Sequence, residues 1–408
     1  MNREALILGV GATPFGRHLD RGAGDLAGQA THEALRDAGL TPADVGAVFH
    51  ATVSQKAIDG QHMIPGQVAL RPHGFAGVPV VNVENACAGG ATALWLAIAH
   101  VRAGLSDVAL AVGVDKLVCA DPAQGLAVFD GAMDIAHREE TLAALTALTD
   151  PLPPELTVDG DRSVFMEIYA SLARAHMQRF GTTEAHLAAV SAKNHAHSVH
   201  NPRAHFRRAF TAQEILTARR VAWPLTVPMC SPVSDGAAAV VVTRADFTRD
   251  ESAVAVLSSV LLSGTDRAPD DAGRHIGRRA ALAAYEKAGI GPQDVDVAEV
   301  HDATAFGEIQ QVENLGFCPI GDGGPWSASG AGALGGPVPV NPSGGLESRG
   351  HPVSATGLAQ VFELVTQLRG RAGERQVPDA HIAIAENGGG LYGIEEAVAA
   401  VTILGRNR

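Results

Sequence analysis

Apolar and polar positions follow one another along this chain in an order that occurs twice. In "EALRDAGLTPADVGAVFHA" (33–51) a helical stretch stops at Ala-Gly, a Pro-x-Asp-Val turn follows, and an apolar strand closes the unit. The stretch "AAYEKAGIGPQDVDVAEVHDA" (283–303) reads the same way, with Ala38, Gly39, Pro42, Asp44 and Val45 recurring at a constant offset as Ala288, Gly289, Pro292, Asp294 and Val295. A second pair agrees: "CAGGATAL" (87–94) and "HPVSATGL" (351–358) share Ala-Thr-x-Leu, each ahead of a long helical stretch. The pattern therefore predicts two duplicated α/β halves. Cys87 and His351 fall at equivalent helix starts, and halves packed about a pseudo-twofold axis would bring them together. Between the halves lies a polar, helix-rich segment, after which "SDGAAAVVVTR" (234–244) returns as a buried strand. The expected organisation is a first half over 1–118, an inserted domain covering a site over 119–225, closing strands of the first half over 226–249, and a second half over 250–408.

Composition adds limits. A chain of 408 residues, 46% hydrophobic, can build at least two sizeable cores. Its formal net charge of −13 argues against a nucleic-acid or membrane-surface role. The cysteines Cys87, Cys119, Cys230 and Cys318 lie far apart with no CxxC pair, so neither a disulfide framework nor a zinc site is expected, and a reducing cytoplasm fits. The N-terminal "MNREALILGV" is too short for a signal peptide, and no run approaches the roughly 18 apolar residues of a membrane span.

Candidate chemistry gathers at a few points. In "VENACAGGAT" (83–92), Cys87 stands between a strand-like run and a helix start, where the helix dipole and free N–H groups would favour its thiolate. The small residues Ala88, Gly89 and Gly90 leave room for an acyl group, although a lone cysteine is also a common buried hydrophobe. His351 sits in the tight loop "NPSGGLESRGHPVSATGLAQ" (341–360), and a cysteine nucleophile needs such a base. His301 follows an apolar strand in "AEVHDATAFGE" and could donate to a substrate oxygen, or simply end the strand. The glycines of "AENGGGLYG" (385–393) could line an oxyanion site or form a plain turn. "GVGATPFG" (9–16) misses the dinucleotide spacing. Histidines 195, 197, 200 and 205 could suggest a metal, but no metal is expected.

Taken together, "VVNVENACAGGATALWLA", "KNHAHSVHNP", "PVSDGAAAVVV", "EVHDATAF", "ENLGFCP", "NPSGGLESRGHPVSATGLAQ" and "QLRGRAGERQVPDA" resemble the thiolase superfamily, nearest its sterol-carrier-protein-type members, over nearly the whole chain. The resemblance implies a five-layered αβαβα fold from two βαβαβαββ halves with an inserted loop domain, usually dimeric, acting on coenzyme A thioesters. It implies that Cys87 takes up the acyl group, that His351 activates it, that His301 binds the thioester oxygen, and that the N–H groups of Cys87 and Gly388 form a second oxyanion hole. Coenzyme A enters as a substrate, with no permanently bound cofactor. A small OB-fold zinc-ribbon partner accompanies many relatives. The chain departs from the family where a second, acid/base cysteine belongs: Glu386 stands at one such position and Ala303 at the other. Glu386 is then either the proton shuttle or a structural carboxylate, and in the site it would have to be protonated or turned into a hydrogen bond. Ser354 replaces a usual glycine. The leading reading is an acyl-CoA C-acyltransferase that cleaves a 3-oxoacyl-CoA or runs the reverse condensation. Alternatives are a retro-aldolase, which the presence of Cys87 disfavours, and a non-catalytic acyl-CoA-binding or scaffold subunit.

Overall fold

A computed structural model describes residues 4–158 and 163–407. Its centre is a nine-stranded sheet in the order β3-β2-β4-β7-β1-β8-β11-β10-β9. The first five positions hold β1 (Ala5–Ala12), β2 (Ala47–Ala51), β3 (Val80–Val83), β4 (Val108–Asp115) and β7 (Gly236–Arg244). The rest are β8 (Val254–Ser263), β9 (Val297–Glu299), β10 (Ile382–Gly389) and β11 (Val398–Arg406), while β5 (Arg220–Ala222) and β6 (Leu225–Thr226) form a separate hairpin. Two five-strand patterns are thus joined edge to edge by a short β1–β8 ladder, Leu6 opposite Ala255 and Ile7 opposite Val254. The third strand of the second half shrinks to one bridge, Ala298 to Val340. Pro337 and Pro339 lack the N–H groups a longer ladder would need.

The duplicated sequence units fold alike. Helix α1 (Ala23–Asp37) precedes Gly39, whose φ of 67° the absence of a Cβ permits, and the later unit ends at Gly289 with φ 70°. The Asp44 carboxylate then accepts the Thr41 N–H at 2.8 Å, and Asp294 accepts that of Gly291 at 2.8 Å. Each turn feeds a strand of the central sheet.

Layering follows from the two-residue period of the strands. On β1, Leu6 and Leu8 pack outward with Leu26, Ala30 and Ala34 of α1, whereas Ile7 and Val10 face inward. There they meet Leu94, Ile98 and Val101 of α2 (Gly89–Ala103). The inserted segment contributes α3 (Val164–Phe180) and α4 (Glu184–Ser198). On the far side α5 (Ile276–Ala288) covers β11 through Ala280, Ala284, Val401 and Ile403. The inner layer is completed by α6 (Thr356–Leu368), whose Leu358, Val361 and Leu364 share the core of α2. The order is α1, first-half strands, α2 with α6, second-half strands, α5: the five-layered αβαβα fold. No helix among the described residues is long and apolar enough to cross a membrane.

Candidate active site

The two inner helices begin at the turns that carry Cys87 and His351. Their approach depends on missing side chains: a Cβ on Gly90 would stand 2.3 Å from the Ser354 carbonyl oxygen, and one on Gly113 of β4 2.1 Å from it. Reciprocally, a Cβ on Gly389 of β10 would meet Asn85 O at 2.5 Å. Ala86 holds a left-handed φ of 47°, a conformation costing about 1 kcal/mol or more outside glycine, which sets the direction of Cys87. Asp115 ties the turns together. Its Oδ1 accepts from Thr52 Oγ1 (3.0 Å), Val53 N (2.9 Å) and Ser54 N (2.8 Å), and its Oδ2 accepts from Ser354 N at 2.6 Å.

His301 arrives from the next layer. Parallel pairing of Ala385 with Glu299 sets Glu386 and Asn387 beside the end of β9. Ligand atoms of Cys87, His301 and His351 lie within 4.8 Å of one another, with the imidazoles edge-to-face at 5.2 Å between centroids. The three line a cavity of about 500 Å³ together with Gly388, Gly389 and Gly390.

Hydrogen bonds give the two rings opposite faces. Asn387 Nδ2 donates to His301 Nδ1 at 2.9 Å, so Nε2 carries the hydrogen and is a donor. His351 Nδ1 lies 2.6 Å from Thr356 Oγ1, which turns its own hydrogen to Pro352 O at 3.5 Å, so Nδ1–H donates and Nε2 keeps its lone pair. Burial lowers His301 to about 4. Burial, then the neighbouring His301, holds His351 well below its ordinary range. Both rings are neutral at neutral pH.

The expected low thiol pKa of Cys87 is not what the fold produces. Burial pushes the thiol up to about 12, the Asp115 charge adds to the rise, and the Gly390 N–H donated to sulfur only partly opposes it. Desolvation outweighs the helix start, and Cys87 rests as a thiol.

Of the two expectations for Glu386, proton shuttle or structural carboxylate, its surroundings favour the second. It is fully buried and does not line the cavity; its Oε2 accepts the His301 N–H at 3.1 Å, and its Oε1 has no partner among the described residues. Burial, then the Glu396 charge, raises its pKa well above the carboxylate range, so it holds a proton and places no permanent negative charge beside the glycines. Two other carboxyls do line the cavity, the exposed Glu84 and the more enclosed Glu396, and the sequence reading passed over both.

Asp115, Asn387 and Thr356 were missed as well, and so was Asn194 of α4. Its Nδ2 lies 3.1 Å from Asp302, 3.0 Å from Glu308 and 2.9 Å from Glu347, pinning the loop after His301. The histidine-rich stretch serves structure: His195 contacts Pro228 O (3.0 Å), His197 contacts Asn341 O (3.0 Å), His205 contacts Ser234 Oγ (2.9 Å), and His200 pairs with Glu374. Among the described residues, the one group of three His, Cys, Asp or Glu able to hold an ion is Cys87, His301 and His351 themselves.

A family model described as thiolase, N-terminal domain, matches residues 5–218, and one described as thiolase C-terminal domain-like matches 265–406. The chain is 37% identical to an acetyl-CoA acetyltransferase of Methanothermobacter thermautotrophicus, over 99% of this chain and 100% of that one. It is 35% identical to sterol carrier protein 2 of Bos taurus, over 95% of this chain and 70% of that protein. The benzoylsuccinyl-CoA thiolase subunit BbsB of Thauera aromatica is 34% identical, with 96% of each covered. Among solved structures, the one titled Ltp2-ChsH2(DUF35) aldolase superposes with a TM-score of 0.78 at 23% identity, over 99% of this chain and 98% of that one.

Proposed function

Because the chain belongs to the thiolase family, we propose that it is an acyl-CoA C-acyltransferase working through an acyl-Cys87 intermediate. The observation that carries this reading is the convergence of Cys87, His301 and His351 within 4.8 Å. In the cleavage direction, the Cys87 thiol gives its proton to His351 Nε2 as sulfur bonds to the 3-oxo carbon. The N–H groups of Cys87 and Gly388 hold the oxyanion that forms. The C2–C3 bond then breaks, leaving an acyl group on sulfur and a thioester enolate whose oxygen accepts from His301 Nε2–H. Glu386 holds the His301 backbone and takes no proton from substrate. After the enolate gains a proton, the thiol of a second coenzyme A releases the acyl group. Condensation is the same path reversed.

The cytoplasm is the proposed compartment, and coenzyme A is a substrate rather than a resident group. A homodimer is also proposed: β3 ends the sheet with an unpaired edge on which Val81 is 46% exposed, and Gly66, whose N–H bonds Asn82 of that strand, is preceded by Met63 at 77%. A small OB-fold zinc-ribbon protein is the proposed second partner, as in many relatives.

Intact-protein mass spectrometry after incubation with a panel of acyl-CoAs tests the function. A mass gain of one acyl group, mapped to Cys87, is expected. Label confined to Cys119, Cys230 or Cys318 would overturn the nucleophile. No label from any acyl-CoA would leave the retro-aldolase or the non-catalytic subunit.

A further inference from the structure

The acyl-transfer path needs a group that gives a proton to the enolate carbon, and neither family position for a second cysteine supplies one. The cavity wall facing Cys87 is built by α3, which presents Phe165, Met166 and Tyr169 at helical spacing. Other cavity residues on the insert side are largely apolar, among them Leu126, Val128, Phe129 and Val221. Against this surface the Tyr169 hydroxyl stands out, because it makes no hydrogen bond to another described residue.

Glu84 and Lys56 also line the cavity but stand exposed to solvent, Glu84 Oε1 accepting the Ala86 N–H at 2.8 Å, and the more enclosed proton carriers are committed elsewhere. Glu396 Oε1 accepts from Gln311 Nε2 at 3.2 Å and its Oε2 faces His275 Nε2 at 3.2 Å. Although burial works the other way, His275 brings Glu396 down to about 2, so it has no proton to give. Cys230 turns its thiol to Thr226 O at 3.5 Å. Glu386 lies outside the cavity, and His351 already holds the proton of Cys87 when the enolate forms.

We propose that Tyr169 is the second acid/base of this enzyme, exchanging a proton with C2 of the thioester. Its ring packs against the Phe306 and Ile309 cluster, which fixes the hydroxyl from behind. Burial first, then the Glu396 charge, raises its pKa, so the hydroxyl carries its proton at rest. In cleavage the Oη–H bond breaks as the C2–H bond forms, leaving a phenolate. The incoming coenzyme A thiol returns a proton to that phenolate, and its sulfur attacks acyl-Cys87. The displaced Cys87 sulfur recovers its proton from His351. In condensation the phenolate formed this way removes the C2 proton of the second acyl-CoA.

The inference rests on the acyl-transfer reading, and two measurements separate their failures. One is acylation of Cys87 by acetyl-CoA; the other is exchange of the C2 hydrogens of acetyl-CoA in D2O, followed by NMR. Tyr169→Phe is expected still to take the acetyl group onto Cys87, at a reduced rate because the departing coenzyme A thiolate must then draw its proton from water, and to lose exchange by about 100-fold or more. Replacing Tyr169 by a ring-fluorinated tyrosine keeps the packing and should shift the pH profile of exchange to lower pH. Wild-type exchange by Tyr169→Phe, or an unmoved profile in the fluorinated protein, overturns the tyrosine while leaving acyl transfer standing. Failure of the unsubstituted protein to acylate overturns both.

Discussion

At the scale of single residues, two neutral imidazoles present a lone pair and an N–H to the cavity that Cys87 lines. With the Cys87 thiol held near 12 and no imidazolium beside it, alkylation by iodoacetamide should climb steadily from pH 7 to pH 10, because the thiolate fraction keeps growing. A plateau near neutrality would instead reveal a thiolate-imidazolium pair. His351→Ala should slow alkylation at pH 7.5 by about 10-fold or more, whereas His301→Ala leaves it near normal and impairs turnover. The Asn387 amide acts one step further out. Asn387→Ala frees the His301 tautomer and should lower kcat by about 10- to 100-fold with little change in alkylation, by analogy with partners that orient ligand histidines. Equal kcat in this variant and the wild type would show that the amide is not what orients the ring.

At the scale of elements, the convergence of the two turns is a packing problem solved with glycine. Gly113→Ala drives a Cβ toward the Ser354 carbonyl, an overpacking that costs about 1–3 kcal/mol if the turn yields. Because the turn that must move follows His351, slower acylation should accompany the lower unfolding midpoint. Gly24→Ala on α1, where the nearest neighbour would stand at 3.5 Å, is the control and should leave both near wild type. A Gly113→Ala protein as stable and as readily acylated as the control would refute this account of the approach.

At the scale of the whole molecule, the inserted segment is locked to the second half through a buried carboxyl cluster. Lys193 on α4 reaches Glu308 Oε1 at 3.1 Å and Val340 O at 2.8 Å, while Asn194 spans Asp302, Glu308 and Glu347. Burial, then the Glu308 charge, raises Glu347 to about 8. A carboxyl that holds its proton more tightly folded than unfolded weakens the fold as pH rises through the interval between the ordinary value near 4.5 and about 8. Melting temperature should therefore fall from pH 6 to pH 8.5, and Glu347→Gln should remove about 1–3 kcal/mol of that fall. An unchanged slope would place the pH dependence elsewhere. Val81→Glu on the β3 edge is expected to convert a dimer to a monomer in sedimentation analysis; a mass unchanged by the substitution would argue against that edge as the interface.

The repeat of Ala-Gly, Pro-x-Asp-Val and strand was enough to predict the duplicated halves, since capping, turn and strand signals act over a few neighbouring residues. Equivalent positions in the repeat likewise singled out Cys87 and His351, because a duplicated fold carries its symmetry in its spacing. Resemblance to a family supplied the proposed roles of His301 and Gly388. What one stretch of chain cannot encode is the environment another stretch builds around it. The rise of the Cys87 thiol comes from burial under several elements and from Asp115, 28 residues away in sequence yet close in space. Glu386 read equally as a proton shuttle or a structural carboxylate, because whether a strand residue meets the cavity or the packed interior depends on which layers close over it. Tyr169 lies in an ordinary-looking helical stretch, and only the fold of the insert over the two halves brings it to the cavity that Cys87 lines. Local signals determine elements and their order, whereas desolvation and the meeting of distant side chains are properties of the closed tertiary structure.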